Sequence, residues 1–206
     1  MKDEAYWNTK HPVIEQLYEG RPLPNGKSYS IDVRHFIWSV DIGLQKLLAE
    51  VPIRGTPDEI ASMIQRYVAT NLSYKGDNFI GAEEYWLYPA ETLKMGTGDC
   101  EDGAILIASL LRCAGIPAWR VNVTAGWVQS APTAPCGGHA YCCYCRELDN
   151  EWVVLDWCYY EDSHIKVMDK PLLKTIPFYK EVWFSFNDVA ARSHTQMIVG
   201  GRVKKL

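Results

Sequence analysis

Apolar residues recur at helical spacing through the first half of the chain, then at alternate positions through much of the second. Ile37, Val40, Leu44, Leu47 and Leu48 predict a helix over 36–51, with Gly43 a weak point inside it. A second helix is announced by Thr56-Pro57-Asp58-Glu59: an N-cap threonine, a proline at the first helical position and a glutamate closing a capping box. Ile60, Met63, Ile64 and Val68 give it an apolar stripe, and it is expected to end near Asn71. Tyr74-Lys75-Gly76-Asp77 reads as a turn and 89–93 as a short helical turn.

Next comes Met95-Gly96-Thr97-Gly98-Asp99-Cys100-Glu101-Asp102-Gly103, with two glycines in the approach and Asp99 placed as an N-cap. The apolar run 104–111 behind it predicts a helix buried on most sides, stopped by Gly115 and Pro117. The period then changes to two. Strands are predicted over 119–123, 139–147, 152–156 and 182–186, with a hairpin turn at Leu148-Asp149-Asn150-Glu151. Helices followed by antiparallel strands make an α+β class. The first thirty residues, rich in Pro, Gly, Tyr and Asn, are expected to form an irregular arm lying on the body. With no repeat or linker, 1–206 is expected to be one domain, with a core at about 56–160, an N-terminal arm 1–35 and a C-terminal extension 161–206.

The 206 residues can bury a sizeable core, and 48% hydrophobic with 22% charged residues is ordinary for a globular protein. A formal net charge of −4 gives no electrostatic reason to bind nucleic acid or a membrane surface. The basic run Arg202-Val203-Lys204-Lys205 reads as a solvated end. No apolar stretch suits a signal peptide or a bilayer span, so a cytoplasmic protein is expected. Seven cysteines cannot all pair, which directs attention to individual thiols.

Cys100 stands where unpaired backbone N–H groups and the positive end of a helix stabilise a thiolate, although Asp99, Glu101 and Asp102 crowd it with negative charge. A buried structural cysteine is the other reading. His139 follows Gly137-Gly138, which let backbone or substrate approach, and it also reads as a histidine satisfied at a strand end. Asp156 breaks an apolar strand. A tight turn on Asp149-Asn150 would set it opposite Cys143; contact with His139 needs the turn nearer Leu148, or a bulge. Cys136, His139, Cys142 and Cys145 are each three apart, which invites a zinc reading, but residues three apart on a strand face opposite sides.

Trp86-Leu87-Tyr88-Pro89-Ala90-Glu91-Thr92-Leu93 and Gly96-Thr97-Gly98-Asp99-Cys100-Glu101-Asp102 resemble the core motif of the transglutaminase-like cysteine peptidases. Leu110-Leu111-Arg112-Cys113-Ala114-Gly115-Ile116-Pro117, Gly138-His139-Ala140-Tyr141 and Trp152-Val153-Val154-Leu155-Asp156 are similar to the segments that follow in that superfamily, in the same order, over roughly 60–159. The resemblance implies a papain-like α+β fold, with the nucleophile helix packed on an antiparallel β-sheet. It makes Cys100 the nucleophile, His139 the general base and then acid, and Asp156 the orienting acid. Such a protein acts on a protein or peptide substrate by acyl transfer, as a peptidase or amidase, with a protein-glutamine transglutaminase or deamidase, or a silent binding module, as alternatives. The Cys100 N–H is one expected oxyanion donor and Trp86 the candidate for a second. Some bacterial peptidases that this sequence resembles hold calcium beside the nucleophile, which makes Asp99, Glu101 and Asp102 calcium candidates; no cofactor is otherwise expected. The segment 128–136, with two prolines, is expected to wall the cleft.

Overall fold

The computed structural model describes residues 2–22, 28–77, 84–159 and 162–194; the basic run at 202–205 lies outside them. The N-terminal arm is more regular than its composition suggests. It forms α1 (Glu4–Lys10), β1 (Val13–Ile14) and the hairpin strands β2 (Leu17–Pro22) and β3 (Ser28–Asp32). Asp3 caps α1 by accepting from the Tyr6 N–H. The predicted helix over 36–51 begins later, as α2 (Ile42–Glu50), because Asp41 is its N-cap and accepts from the Leu44 N–H at 2.8 Å. Val40 therefore lies outside it and is exposed.

The helix announced by the capping box is α3 (Pro57–Asn71), and both hydrogen bonds of the box are present. A short β4 (Ser73–Tyr74) stands where a turn is predicted. The short helix α4 (Pro89–Met95) ends at Gly96, whose φ of 63° is the left-handed cap that glycine adopts at no steric cost. Behind it β5 (Thr97–Gly98) pairs in parallel with β4 and delivers the chain into α5 (Cys100–Cys113). Then come β6 (Val121–Gln129), β7 (Cys136–Cys145), β8 (Trp152–Leu155), β9 (Tyr179–Phe186) and β10 (Ala191–Ser193).

Six strands make one antiparallel sheet in the order β1-β10-β9-β6-β7-β8. Every residue of α5 from Ala104 to Leu111 is inaccessible to solvent. They pack between Val121, Val123, Cys142, Tyr144, Val153, Leu155 and Phe186 on one sheet face and Leu44, Ala61, Ile64 and Val68 of the other helices. Each buried aliphatic side chain contributes about 1.5–3 kcal/mol through water release, so α5 is held rigidly along its length. A smaller cluster (Val128, Tyr141, Cys143, Val154 and Tyr179) forms on the sheet's other face. Among the described residues no helix is long and apolar enough to cross a membrane.

Candidate active site

The histidine and the acid meet. His139 Nε2 lies 2.7 Å from Asp156 Oδ2, and both side chains are buried. The register explains how. β8 pairs Leu155 with Cys142 and Val154 with Cys143, so the turn sits between the two positions weighed from sequence. Continuing that register sets Asp156 level with Tyr141, and His139 is the next residue of β7 on the same face, within diagonal reach. Asp156 Oδ1 accepts from the N–H groups of Cys158 and Tyr159 at 3.1 and 3.2 Å, and Oδ2 accepts from the Tyr179 hydroxyl at 2.8 Å. Burial alone would raise the Asp156 carboxyl, but His139 and these donors together hold it below the ordinary carboxylate value. Gln65, fully buried on α3, donates to the Asp156 carbonyl at 2.6 Å and fixes the backbone from beneath.

Cys100 opens α5, half-buried, with its thiol near the backbone N–H of Ala140, the residue after His139. β8 covers only 142–145 of β7, so this contact falls in a stretch that β8 leaves uncovered. The Cys100 carbonyl accepts from the Trp157 indole N–H at 3.3 Å. That indole lies flat on the helix backbone at Gly103, where a Cβ would come within 2.1 Å of its nitrogen.

Burial, with Glu101 and Asp99 beside it, pushes the Cys100 thiol well above its usual range, and the thiol donates to Glu101 Oε2 at 3.2 Å. The acidic neighbours are raised as well. Burial, with Asp77 and Glu84 nearby, brings Asp99 up to about 6; burial, with Asp99 and Asp77, brings Asp102 up to about 8; Glu101 lies well above the carboxylate range. Asp102 is used structurally, its oxygens accepting from the N–H groups of Leu87 and Asp99. Asp99 Oδ1 and Glu101 Oε1 are buried with no hydrogen-bond partner.

Trp86 does not offer its indole to the site. Its Nε1 donates to Glu84 at 2.6 Å, and the ring stacks between Tyr18 and Phe186 in the core. The cysteines proposed as zinc partners are strung along β7. Cys142 faces the helix-packed side of the sheet and Cys145, three residues on along the same strand, faces the other; Cys136 is exposed, and all seven thiols are unpaired. The tip of the β6–β7 hairpin, within 128–136, is exposed and held by Gln129 donating to the Ala134 carbonyl. Tyr179 and Gln65 went unrecognised in the sequence. A glutamine at an inward position of an amphipathic helix was the one available sign of the second; the tyrosine had none.

A buried helix opened by Cys100 and packed on an antiparallel sheet, with His139 on one strand and Asp156 just past the end of its neighbour, is the papain-like α+β arrangement. The model of the transglutaminase-like superfamily matches residues 48–157, more than half the chain, and the chain belongs to that superfamily. Among solved structures it is similar to Legionella pneumophila LapG, at 22% identity and a TM-score of 0.49, over 74% of this chain and 86% of that one. Calcium-bound LapG matches at 20% identity and a TM-score of 0.49, over 79% and 95%. A candidate cysteine protease from Cytophaga hutchinsonii matches at 21% and 0.44, over 70% of this chain and 47% of that one. No curated protein matches the chain.

Proposed function

We propose that the protein is a cysteine hydrolase, a peptidase or amidase that works through a thioester on Cys100. The observation that carries this reading is the buried His139–Asp156 pair, 2.7 Å apart, one residue from Ala140, whose backbone N–H lies near the Cys100 thiol. With Nε2 turned to the acid, Nδ1 is the ring nitrogen left to exchange a proton with the nucleophile. His139 takes the thiol proton, the sulfur attacks a carbonyl, and the imidazolium returns the proton to the leaving amine. Water activated by His139 then resolves the thioester. Asp156 keeps the ring oriented. The Cys100 N–H, at the open end of α5, is the oxyanion donor this geometry supports. The uncovered stretch of β7, including the exposed Gly137 and Gly138, supports a peptide substrate laid along the strand edge.

The same geometry supports calcium. Two buried carboxylate oxygens without partners, on Asp99 and Glu101, form a hard donor set suited to that ion. Bound there, calcium would supply positive charge that offsets the carboxylates raising the thiol.

Alkylation of each cysteine against pH, read by mass spectrometry with calcium present, tests the reading. Cys100 is expected to react well below the free-thiol value of about 8.5, and His139→Ala to abolish that advantage. A Cys100 no more reactive than Cys136 overturns it. Incorporation of an added amine into a glutamine substrate would assign the thioester to transfer rather than hydrolysis.

A further inference from the structure

Hydrolysis leaves one nucleophilic side chain at the site without a task. Cys158 stands two residues past Asp156, half-buried, with its thiol 3.9 Å from Asp156 Oδ1. Its backbone N–H donates to the same oxygen at 3.1 Å, so the chain after β8 folds back around the carboxylate. A ring nitrogen of His139, an oxygen of Asp156 and the sulfur of Cys158 all lie within 4.8 Å of one another. Around a tetrahedral zinc ion, with bonds of about 2.0–2.3 Å, ligand atoms stand roughly 3.3–3.8 Å apart. Small side-chain adjustments therefore bring the three onto one ion. The donors are an imidazole, a carboxylate and a thiolate, whose summed charge of −2 matches a divalent cation. The thiolate favours a borderline-soft ion over calcium, which takes oxygen ligands. Cys158 is also the most accessible of the three and gives the ion an entrance.

We propose that His139, Asp156 and Cys158 form a binding site for a thiophilic divalent cation of the zinc type, and that occupancy withdraws the His139–Asp156 pair from catalysis. Binding stands on the geometry alone; only the inhibitory consequence rests on the hydrolase reading. As the sulfur–metal bond forms, the Cys158 thiol gives its proton to water. His139 coordinates through a neutral ring nitrogen, releasing a proton where it carried two. No electron changes hands, and acid reverses the binding.

Cobalt(II) serves as the probe, added to the reduced full-length chain with calcium in excess. The Cys100→Ala variant removes the nucleophile as a source of thiolate. It is expected to bind one cobalt per chain and to show thiolate-to-cobalt charge-transfer absorption. Adding Cys158→Ser should abolish that band, and adding Asp156→Asn should weaken binding by at least about tenfold. In the unmutated protein, zinc should protect Cys158 from alkylation, a readout that needs no variant to fold. A missing band, a band that survives Cys158→Ser, or a Cys158 that zinc leaves unprotected overturns the proposal. None of these readouts depends on turnover, so an inert Cys100 would defeat the hydrolase reading and leave this one standing.

Discussion

Tyr179 reaches Asp156 from β9, beyond the hairpin that joins the acid to its histidine, and gives Oδ2 its second partner. The Tyr179→Phe change keeps the ring in the cluster of Tyr141, Cys143 and Val154 and deletes only the donor. A hydrogen bond to a charged acceptor contributes about 1.5–3 kcal/mol. Part of that is recovered by reorientation of His139, so kcat/KM for the proposed hydrolysis is expected to fall about tenfold. The pH profile distinguishes positioning from packing. Asp156 is held low by His139, the Cys158 N–H and Tyr179 against burial. Its contribution is complete above the ordinary carboxylate value of about 4 and is lost as pH falls through the lower folded value. Without the tyrosine hydroxyl, the acid limb moves to higher pH. A lower rate with an unmoved limb would reduce Tyr179 to a packing residue.

Among the elements, α5 carries the sharpest local constraint. At Gly103 the Trp157 indole lies against the helix backbone and donates to the Cys100 carbonyl, which joins the helix that Cys100 opens to the segment between Asp156 and Cys158. Gly103→Ala must push the indole away. Overpacking of this kind costs about 1–3 kcal/mol, read as a fall in melting temperature of roughly 2–10 °C, with loss of activity exceeding the loss of folded protein. A variant as stable and active as its parent would show the indole contact to be dispensable. Helix starts were legible wherever a cap announced them, as at Thr56-Pro57-Asp58-Glu59. The start of α2 was missed because apolar residues at 37 and 40 extended the periodicity past Asp41, the true cap. β1 was illegible for a different reason: two residues carry no period, and their partner β10 is about 180 residues away. Cys100, His139 and Asp156 were legible as residues. Their meeting was not, because it depends on where a six-residue turn places its centre, and nothing local encodes that to one residue.

For the molecule as a whole, what matters is that a chain of net charge −4 gathers Asp77, Glu84, Asp99, Glu101 and Asp102 around the start of one buried helix. The core holds α5 along its length, so these groups cannot relax apart and must take up protons or a cation. A carboxyl raised on folding binds its proton in the folded state while the unfolded chain, near 4, has released it, so stability falls as pH rises toward the folded value. Two histidines work in the opposite direction. His194, brought down to about 4 by burial with His11 and Arg192 beside it, and His11, lowered by burial, make stability rise with pH up to about 6.5. In the window from about 6.5 to 8 the proton at stake is that of Asp102, raised to about 8. Each proton retained there costs about 1.4 kcal/mol per pH unit. In chelator, the melting temperature is expected to fall by about 4–8 °C between those limits. Calcium replaces the protons as the neutralising charge, so it should recover most of that loss at pH 8 and little at pH 6.5. Thermal unfolding across the window, with and without calcium, measures both effects. A melting temperature that holds level in chelator and ignores calcium would mean that the cluster is neutralised by neither, and the calcium reading would fall with it.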